Sequence, residues 1–442
     1  MTIEHVNITD PQIHEPKGTA TAQTGHVYVA NGAGSGAWAP KDSAAELANR
    51  VVVTQASDLA SIDSTKEYFI DGTVDMGSQS IEVPAGGLNL KGYNLGLSKL
   101  ISTASSYTLF TSPAGGSGNV FGIDVSFEVS GTASRVYNLV GNTGFEAIEF
   151  VRLNYDNCTS LGTIDNYRQG LEQGTGRFGG SPSLTLAGAW LGGFRITSSI
   201  VRSLDAGMTE PLFKAGAAFI MNSRFLTDMN IDLPALAPLL DFANSNFPNT
   251  SSLQLHDMIL TRDGVNTAGD TNITPNILAS ELASSFRNNI GIPNTFVGGE
   301  LDITVEAPTV ITTAGVFVDV AGTWAPENLV HFDVPAAGRL RHLGTSPQEY
   351  TVFADVILDS VANDEVDLKV VIYRAATTNF EDSKTVRRVI NSLQGGRNVA
   401  AFTLRASLTL GDGDYIKLQV ANVLAINNIT AEIDSYLEVE ER

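Results

Sequence analysis

Two segments of this sequence carry side chains spaced for chemistry. In FEAIEFVRLNYDN the carboxylates Glu146, Glu149 and Asp156 fall close together, and in IDNYRQGLEQGTGRFGG Asp165 and Glu172 flank Arg168. Paired carboxylates are what glycoside hydrolysis requires, and a separation of roughly 5–9.5 Å sets its stereochemical outcome. A lyase would instead use a phenolic or basic proton acceptor beside an arginine, an arrangement that Tyr167 and Arg168 offer. The chain carries Asp+Glu 48 against Lys+Arg 27, however, so carboxylates close in sequence arise from composition alone. These residues are therefore read as a solvated outer face. No catalytic residue is expected, and a polysaccharide-cleaving enzyme stands as the alternative.

Other reactive side chains point to less. His5, His14 and His26 lie near the N-terminus, and His256 follows a strand candidate. LVHFD and GRLRHLG would bring His331 and His342 together on adjacent strands, where a shared metal is conceivable, yet no histidine has the paired spacing of a zinc site. GAGSG lacks the Lys-Ser/Thr and the helix of a phosphate loop and reads as a hinge, while GDGD and NTAGDTN lack the ligands of a calcium loop and read as turns. Cys158 is the only cysteine, so no intrachain disulfide can form, and its strand context predicts a buried, inert thiol. Trp190 and Trp324 sit beside Gly or Pro, where packing at a coil corner or sandwich edge is favoured over stacking on a sugar. Neither a metal nor a cofactor is expected.

The elements that position these groups are β-strands. Residues 1–40 are Gly/Ala/Thr-rich with one strand candidate, HVYVA, and two turn signals, EPKG and NGAGSG, so they read as an extended arm. In 41–67, Asp42 and Ser43 can cap a short Ala/Leu helix that connects to a strand at the β-branched Val51, Val52 and Val53. From 68 to 296, short strands with alternating apolar positions recur at intervals of roughly 20–30 residues, separated by Gly, Asn, Asp and Ser. Each such coil leaves an apolar face open until the next covers it, which predicts a parallel β-helix-like shaft; a β-sandwich is the competing architecture. NILASELASSFRNNIG, with Leu278, Leu282 and Phe286 at fourfold spacing and Gly291 beyond, predicts a closing helix over 276–291. Residues 297–442 carry about nine longer, cleanly alternating strands, the pattern of an antiparallel jelly-roll sandwich.

Charge and hydropathy exclude several partners. A formal charge of −21 repels phosphate backbones and anionic bilayers, so nucleic acid is not expected as a partner. No window reaches the eighteen or so apolar residues of a membrane span, and MTIEHVNITDPQ lacks a basic region followed by an apolar one, so neither membrane insertion nor a cleaved leader is expected.

The C-terminal segments GTWAPENLVHFDVPAAGRLRHLGTSPQEYTVFADVIL, LTLGDGDYIKLQVAN and AEIDSYLEVEE resemble the tumour-necrosis-factor-like jelly roll found at the tips of bacteriophage fibres. In that family a Gly-Arg-Leu strand leads into a turn and a Gly-Asp-Tyr-x-x-Leu-x-Val strand lies near the end. Arg339, Leu340, Gly344, Asp414, Tyr415, Leu418 and Val420 occupy those positions, with an extra Gly-Asp in GDGDY. The opening strap, IHEPKG through VYVANGAGSGAW, is similar to the N-terminal arms of phage virion fibre and decoration proteins. The resemblance implies an elongated homotrimer located in the virion, with a metal on its axis conceivable at His331 and His342. It implies a head or tail fibre, or a capsid decoration, docked on a capsid or tail protein through Ile13, His14, Glu15, Pro16, Lys17, Gly18, Val27, Tyr28, Val29 and Trp38. The jelly-roll tip would then serve host attachment, to a surface glycan or protein. Within the same resemblance, the enzymatic alternative is a tail-spike depolymerase that cleaves host-surface polysaccharide with carboxylates of the shaft.

Overall fold

Leu88, Val120, Ile148, Gly170, Phe194, Phe225, Leu253 and Ser284 stand in parallel register one above the next, each on a successive coil of chain. The chain advances 22 residues from Ile148 to Gly170 and 32 from Leu88 to Val120, so the coils differ in their corners rather than in their strands. This is a β-solenoid in a computed structural model that describes residues 26–30, 36–40, 49–173, 177–266, 272–392 and 398–442. A 15-stranded sheet forms one wall and a 7-stranded parallel sheet forms another. The corners turn at left-handed residues such as Asn166, Asp257 and Asn288, side chains that tolerate this backbone best after glycine.

Side chains that alternate inward fill the space between the walls. Phe110, Phe127, Tyr137, Tyr155 and Phe178 interlock, with Phe110 and Tyr137 stacked at 5.6 Å and the Tyr137 and Tyr155 hydroxyls 3.0 Å apart. Farther along, Phe194 stacks on Phe225 at 5.6 Å and Phe219 on Phe242 at 5.2 Å. One apolar core runs from Val53 to Ile292. The stack thus begins at the strand Arg50–Val53, which pairs with Glu67–Ile70, ahead of the expected boundary at residue 68.

The expected closing helix is absent. Residues 276–283 are turns, and Ser284–Arg287 is a strand paired in parallel with Leu253–His256. Leu278 is exposed while Phe286 is buried, so the fourfold spacing does not mark one face. Asn and Ser compete with the helix backbone for hydrogen bonds, and the Ser284 hydroxyl donates to the Leu278 carbonyl at 2.6 Å. Joining the ladder also covers the open face of the preceding coil. Among the described residues there is no α-helix, only the 3-10 turns Ala56–Leu59 and Asn244–Asn246. The helix expected after Asp42 falls largely on 41–48, outside the described residues.

The C-terminal unit is a sandwich of two antiparallel sheets. In one, the order is Gly322–Val330, Gly298–Glu306, Tyr436–Glu441, Gln348–Asp359, Asn398–Leu410. In the other it is Phe332–Asp333, Arg339–His342, Tyr415–Asn422, Glu365–Arg374, Asn379–Val389. This order interleaves the chain between the two sheets as a jelly roll does. Tyr350, Val352, Ala354, Val356 and Leu358 face a separate core, meeting Phe402, Leu404 and Leu418. The edge strand Asn379–Val389 is mostly exposed and carries Glu381, Asp382, Lys384, Arg387 and Arg388, charges that oppose pairing with a foreign strand.

Ahead of the solenoid, His26–Ala30 and Gly36–Pro40 form an antiparallel two-stranded sheet with Tyr28 opposite Trp38.

Gly122 lies in the ladder beneath Phe150, where an added Cβ would come within 2.4 Å of the ring. Gly122→Ala is expected to lower the stability of the solenoid by about 1–3 kcal/mol through overpacking. The combination with Phe150→Leu should recover part of that loss in thermal unfolding.

Candidate functional site

The reactive side chains singled out in the sequence are scattered by the fold. Glu146 is buried at the turn before Ala147–Cys158 and accepts hydrogen bonds from the backbone of Thr143, Gly144 and Phe145 and from the Thr143 hydroxyl. Burial raises its pKa, but these bonds outweigh it and hold the carboxyl below its ordinary range. Glu149 lies on the outer face, beside the Gln169 amide that donates to it. Asp156, up to about 23 Å farther along the strand, pairs with Lys99 at 3.0 Å. Asp165 belongs to the other wall, on Gly162–Asp165, and burial raises its pKa. Glu172 stands in register between Phe150 and Ile196, two core residues.

Tyr167 is fully buried, so the exposed Arg168 has no phenolic partner at the surface. Its hydroxyl lies 2.8 Å from Ser117 Oγ and donates to the Gly118 carbonyl, its ring stacks on Trp190, and burial pushes its pKa up to about 12. Trp190 is buried and donates to the Ala187 carbonyl; Trp324 packs over Gly338. Cys158 is buried, with its thiol directed to the Phe127 carbonyl and pushed up to about 12 by burial, far from a reactive thiolate.

Two places in the jelly roll gather polar groups from distant parts of the chain. The first is its joint with the solenoid. Arg287 of the last coil pairs with Glu441 at 2.5 Å, and the Glu441 amide donates to the Val297 carbonyl. Gln348 donates to the same Glu441 carboxylate at 2.9 Å and accepts from the Tyr350 hydroxyl. His331, buried with a left-handed backbone (φ 61°), places Nε2 3.0 Å from the Glu281 carbonyl across the joint. Its neighbour His342 donates Nδ1–H to the Gly411 carbonyl and packs against Phe332 and Tyr350. The strands do bring the two histidines together, but one nitrogen of each is committed to a backbone carbonyl. Gly344 passes so close that an added Cβ would lie 2.5 Å from His342 Nε2.

The second place is the opposite end of the sandwich. Buried Asp364 accepts from Ser360 Oγ at 2.8 Å, Asn422 Nδ2 at 2.9 Å and Asn427 Nδ2 at 3.0 Å. Asn428 joins Ser360 and Ile311 to the same cluster. Three loops, 310–317, 360–364 and 423–428, are thereby fastened side by side, and they present Val310, Val316, Val361, Leu424 and Ile426 to solvent. Leu424 is 77% exposed. None of the three loops carries a charge except the buried Asp364.

The residues that gave the C-terminal resemblance have structural duties. Asp414 accepts from the Gly411 and Ala375 amides and pairs with Arg374, which together hold its carboxyl below the usual range against the opposing effect of burial. Arg339 lies over the Tyr415 ring at 4.9 Å, while Leu340, Leu418 and Val420 are core.

Glu300, Asp302 and Glu327 have carboxylate oxygens within 4.8 Å of one another on the outer face of the first sheet, an oxygen set able to hold a divalent cation. Burial, then mutual repulsion, raises the pKa of Glu300 and of Asp302. Nothing along the sequence signals this cluster, because antiparallel pairing alone sets Glu300 opposite Glu327. Of the expected anchoring residues, Ile13, His14, Glu15, Pro16, Lys17 and Gly18 lie outside the described residues, Val27, Tyr28 and Val29 are in His26–Ala30, and Trp38 is half-buried.

No protein-family model and no curated protein matches the chain. Solved structures similar to part of the chain include an Eiger TNF from S. frugiperda, at 12% identity and TM-score 0.27, covering 33% of this chain and 92% of that one. Murine APRIL is similar at 11% identity and TM-score 0.25, covering 33% and 99%. These neighbours are TNF-like jelly rolls.

Burial depresses the pKa of both His331 and His342 in the folded chain. Their contribution to stability is therefore fully present above the unfolded value of about 6.5 and lost as pH falls below it, through the depressed folded values. Thermal unfolding followed from pH 7.5 to 5 should show the jelly-roll transition falling, and His342→Gln should flatten that dependence. Asp364→Ala takes the acceptor from Asn422 Nδ2 and Asn427 Nδ2 in the loop cluster and is expected to cost about 1–3 kcal/mol in the same assay.

Proposed function

We propose that this chain is a structural fibre or decoration protein of a phage particle, a homotrimer anchored by its N-terminal arm and presenting the jelly-roll tip for host attachment. The observation that carries the reading is the pair of unlike ends on the sandwich. One end is bound to the last coil of the solenoid by Arg287, Glu441 and His331, and the other carries exposed aliphatics on three loops fastened by Asp364. Apolar surface that a monomer leaves open marks a place of contact. A stack of coils that spaces such a contact from an arm is the shape a fibre needs.

A trimer would cover sheet edges and the outer face where Glu300, Asp302 and Glu327 converge. The arm carries Ile13, Val27, Tyr28, Val29 and Trp38 as its large apolar groups, too few to offset the ordering of some 25 residues at about 1–2 kcal/mol each without a partner surface. Pro16 and Gly18 would set its corner.

Three measurements test the proposal. Sedimentation of the full chain should give a trimer at micromolar concentration; a stable monomer would count against assembly. Deleting residues 1–38 should leave a folded protein absent from particles, whereas normal occupancy would place the anchor elsewhere. Leu424→Asp with Ile426→Asp should keep the fold and abolish binding to host cells. Unchanged binding would remove the tip from the attachment reading.

A further inference from the structure

Positive charge is scarce in this chain, and most described cations face a carboxylate. Among the described residues Arg168, Arg195 and Arg224 form no ion pair, and all three are exposed; Arg195 and Arg224 line one cleft on the outer face of the 15-stranded sheet, and Arg168 lies beside its Gly192. The cleft has a volume of about 160 Å³. The register explains the convergence: Glu149, Leu171 and Arg195 stack on successive coils, and the strand of the next coil starts just after Arg224, whose carbonyl accepts from the Phe194 amide at 2.8 Å. Coils are roughly 4.8 Å apart, so Glu149 and Arg195 face each other across about 10 Å.

The floor is open because it is made of glycine. At Gly192 an added Cβ would meet the Gln169 side chain at 3.1 Å and Arg168 Cγ at 3.2 Å, and at Gly193 (φ 91°) it would lie 2.5 Å from the Arg224 carbonyl. Any larger residue at 192 would fill the space between Gln169 and the arginine at the rim. Leu171 and Phe194 supply apolar surface at the base.

We propose that this cleft binds a carboxylate-bearing saccharide. Guanidinium groups match a carboxylate in two-point hydrogen bonding, and the second carboxylate oxygen of Glu149, whose first is held by the Gln169 amide, accepts from a sugar hydroxyl. The same Glu149 repels a compact dianion such as phosphate, so the site favours a single negative charge on a molecule rich in donors. The inference concerns the shaft and goes beyond the proposed attachment by the tip; each holds or fails without the other.

The test uses the full chain and calorimetric titration with a hyaluronan tetrasaccharide, which carries glucuronate, against neutral maltotetraose and inorganic phosphate. The carboxylated sugar should bind and the neutral one should not, with binding weakened roughly tenfold or more in Arg195→Gln/Arg224→Gln. Both arginines are exposed, so thermal unfolding should be unchanged in that variant. Gly192→Leu should block the cleft and abolish binding independently of charge. Absence of binding at millimolar sugar, equal binding of maltotetraose, displacement by equimolar phosphate, or full affinity in the arginine variant would each overturn the assignment.

Discussion

The structure depends on one constraint: a single β-coil cannot close its own core. Its strands have an apolar side that is covered only when the next coil lies in register above it, so the coils must stack and their pairings must agree. Leu88, Val120 and Ile148 show the consequence, since each is completely or almost completely buried by its neighbours in the ladder. The corners escape this demand. They differ in length from coil to coil, and the polar groups that vary are found there or on the outer face.

A stack must also end. At the C-terminal end the strand Ser284–Arg287 completes the ladder, Thr295 exchanges hydrogen bonds with Phe286, and the jelly roll is then bound by Arg287 and Glu441. The two cores remain distinct, one running to Ile292 and the next beginning at Val297. Between them lies a polar joint rather than continuous apolar packing. Charged and hydrogen-bonded contacts fix direction more than they add stability, and the joint holds buried histidines whose pKa values burial depresses, whereas the interior of the solenoid is packed with aromatic rings.

The same constraint governs the acidic residues. With so many carboxylates, the stack has to send them outward, where Asp156 meets Lys99 and Asp124 meets Arg152, or commit them to turns, as with Glu146. Closeness in sequence then says little about closeness in space, because successive strand residues alternate faces and seven positions along a strand carry a group far from its starting point. The catalytic-looking runs separated for this reason. The acidic groups that do converge, Glu300, Asp302 and Glu327, come from two antiparallel strands.

What the sequence determined by itself was the class of each segment. Alternating apolar residues with Gly, Asn and Asp at the breaks are a local property, set by side-chain direction and allowed backbone, and they made both the coiled β-stack and the alternating strands of the sandwich legible. Cys158 as a buried thiol followed from the same pattern, whereas packing at Trp190 followed from the area an aromatic ring buries. Residues 276–291 failed because their apolar spacing fits a helix while the preceding coil needed a covering strand, and only tertiary packing weighs those two demands. The tertiary structure alone also decided which polar groups meet. Arg195 and Arg224 line one cleft from successive coils, with Arg168 of the coil before them beside Gly192, and Asp364 joins Asn422 and Asn427 across some sixty residues. Such meetings depend on register and corner length, which the spacing of apolar residues along one strand does not encode.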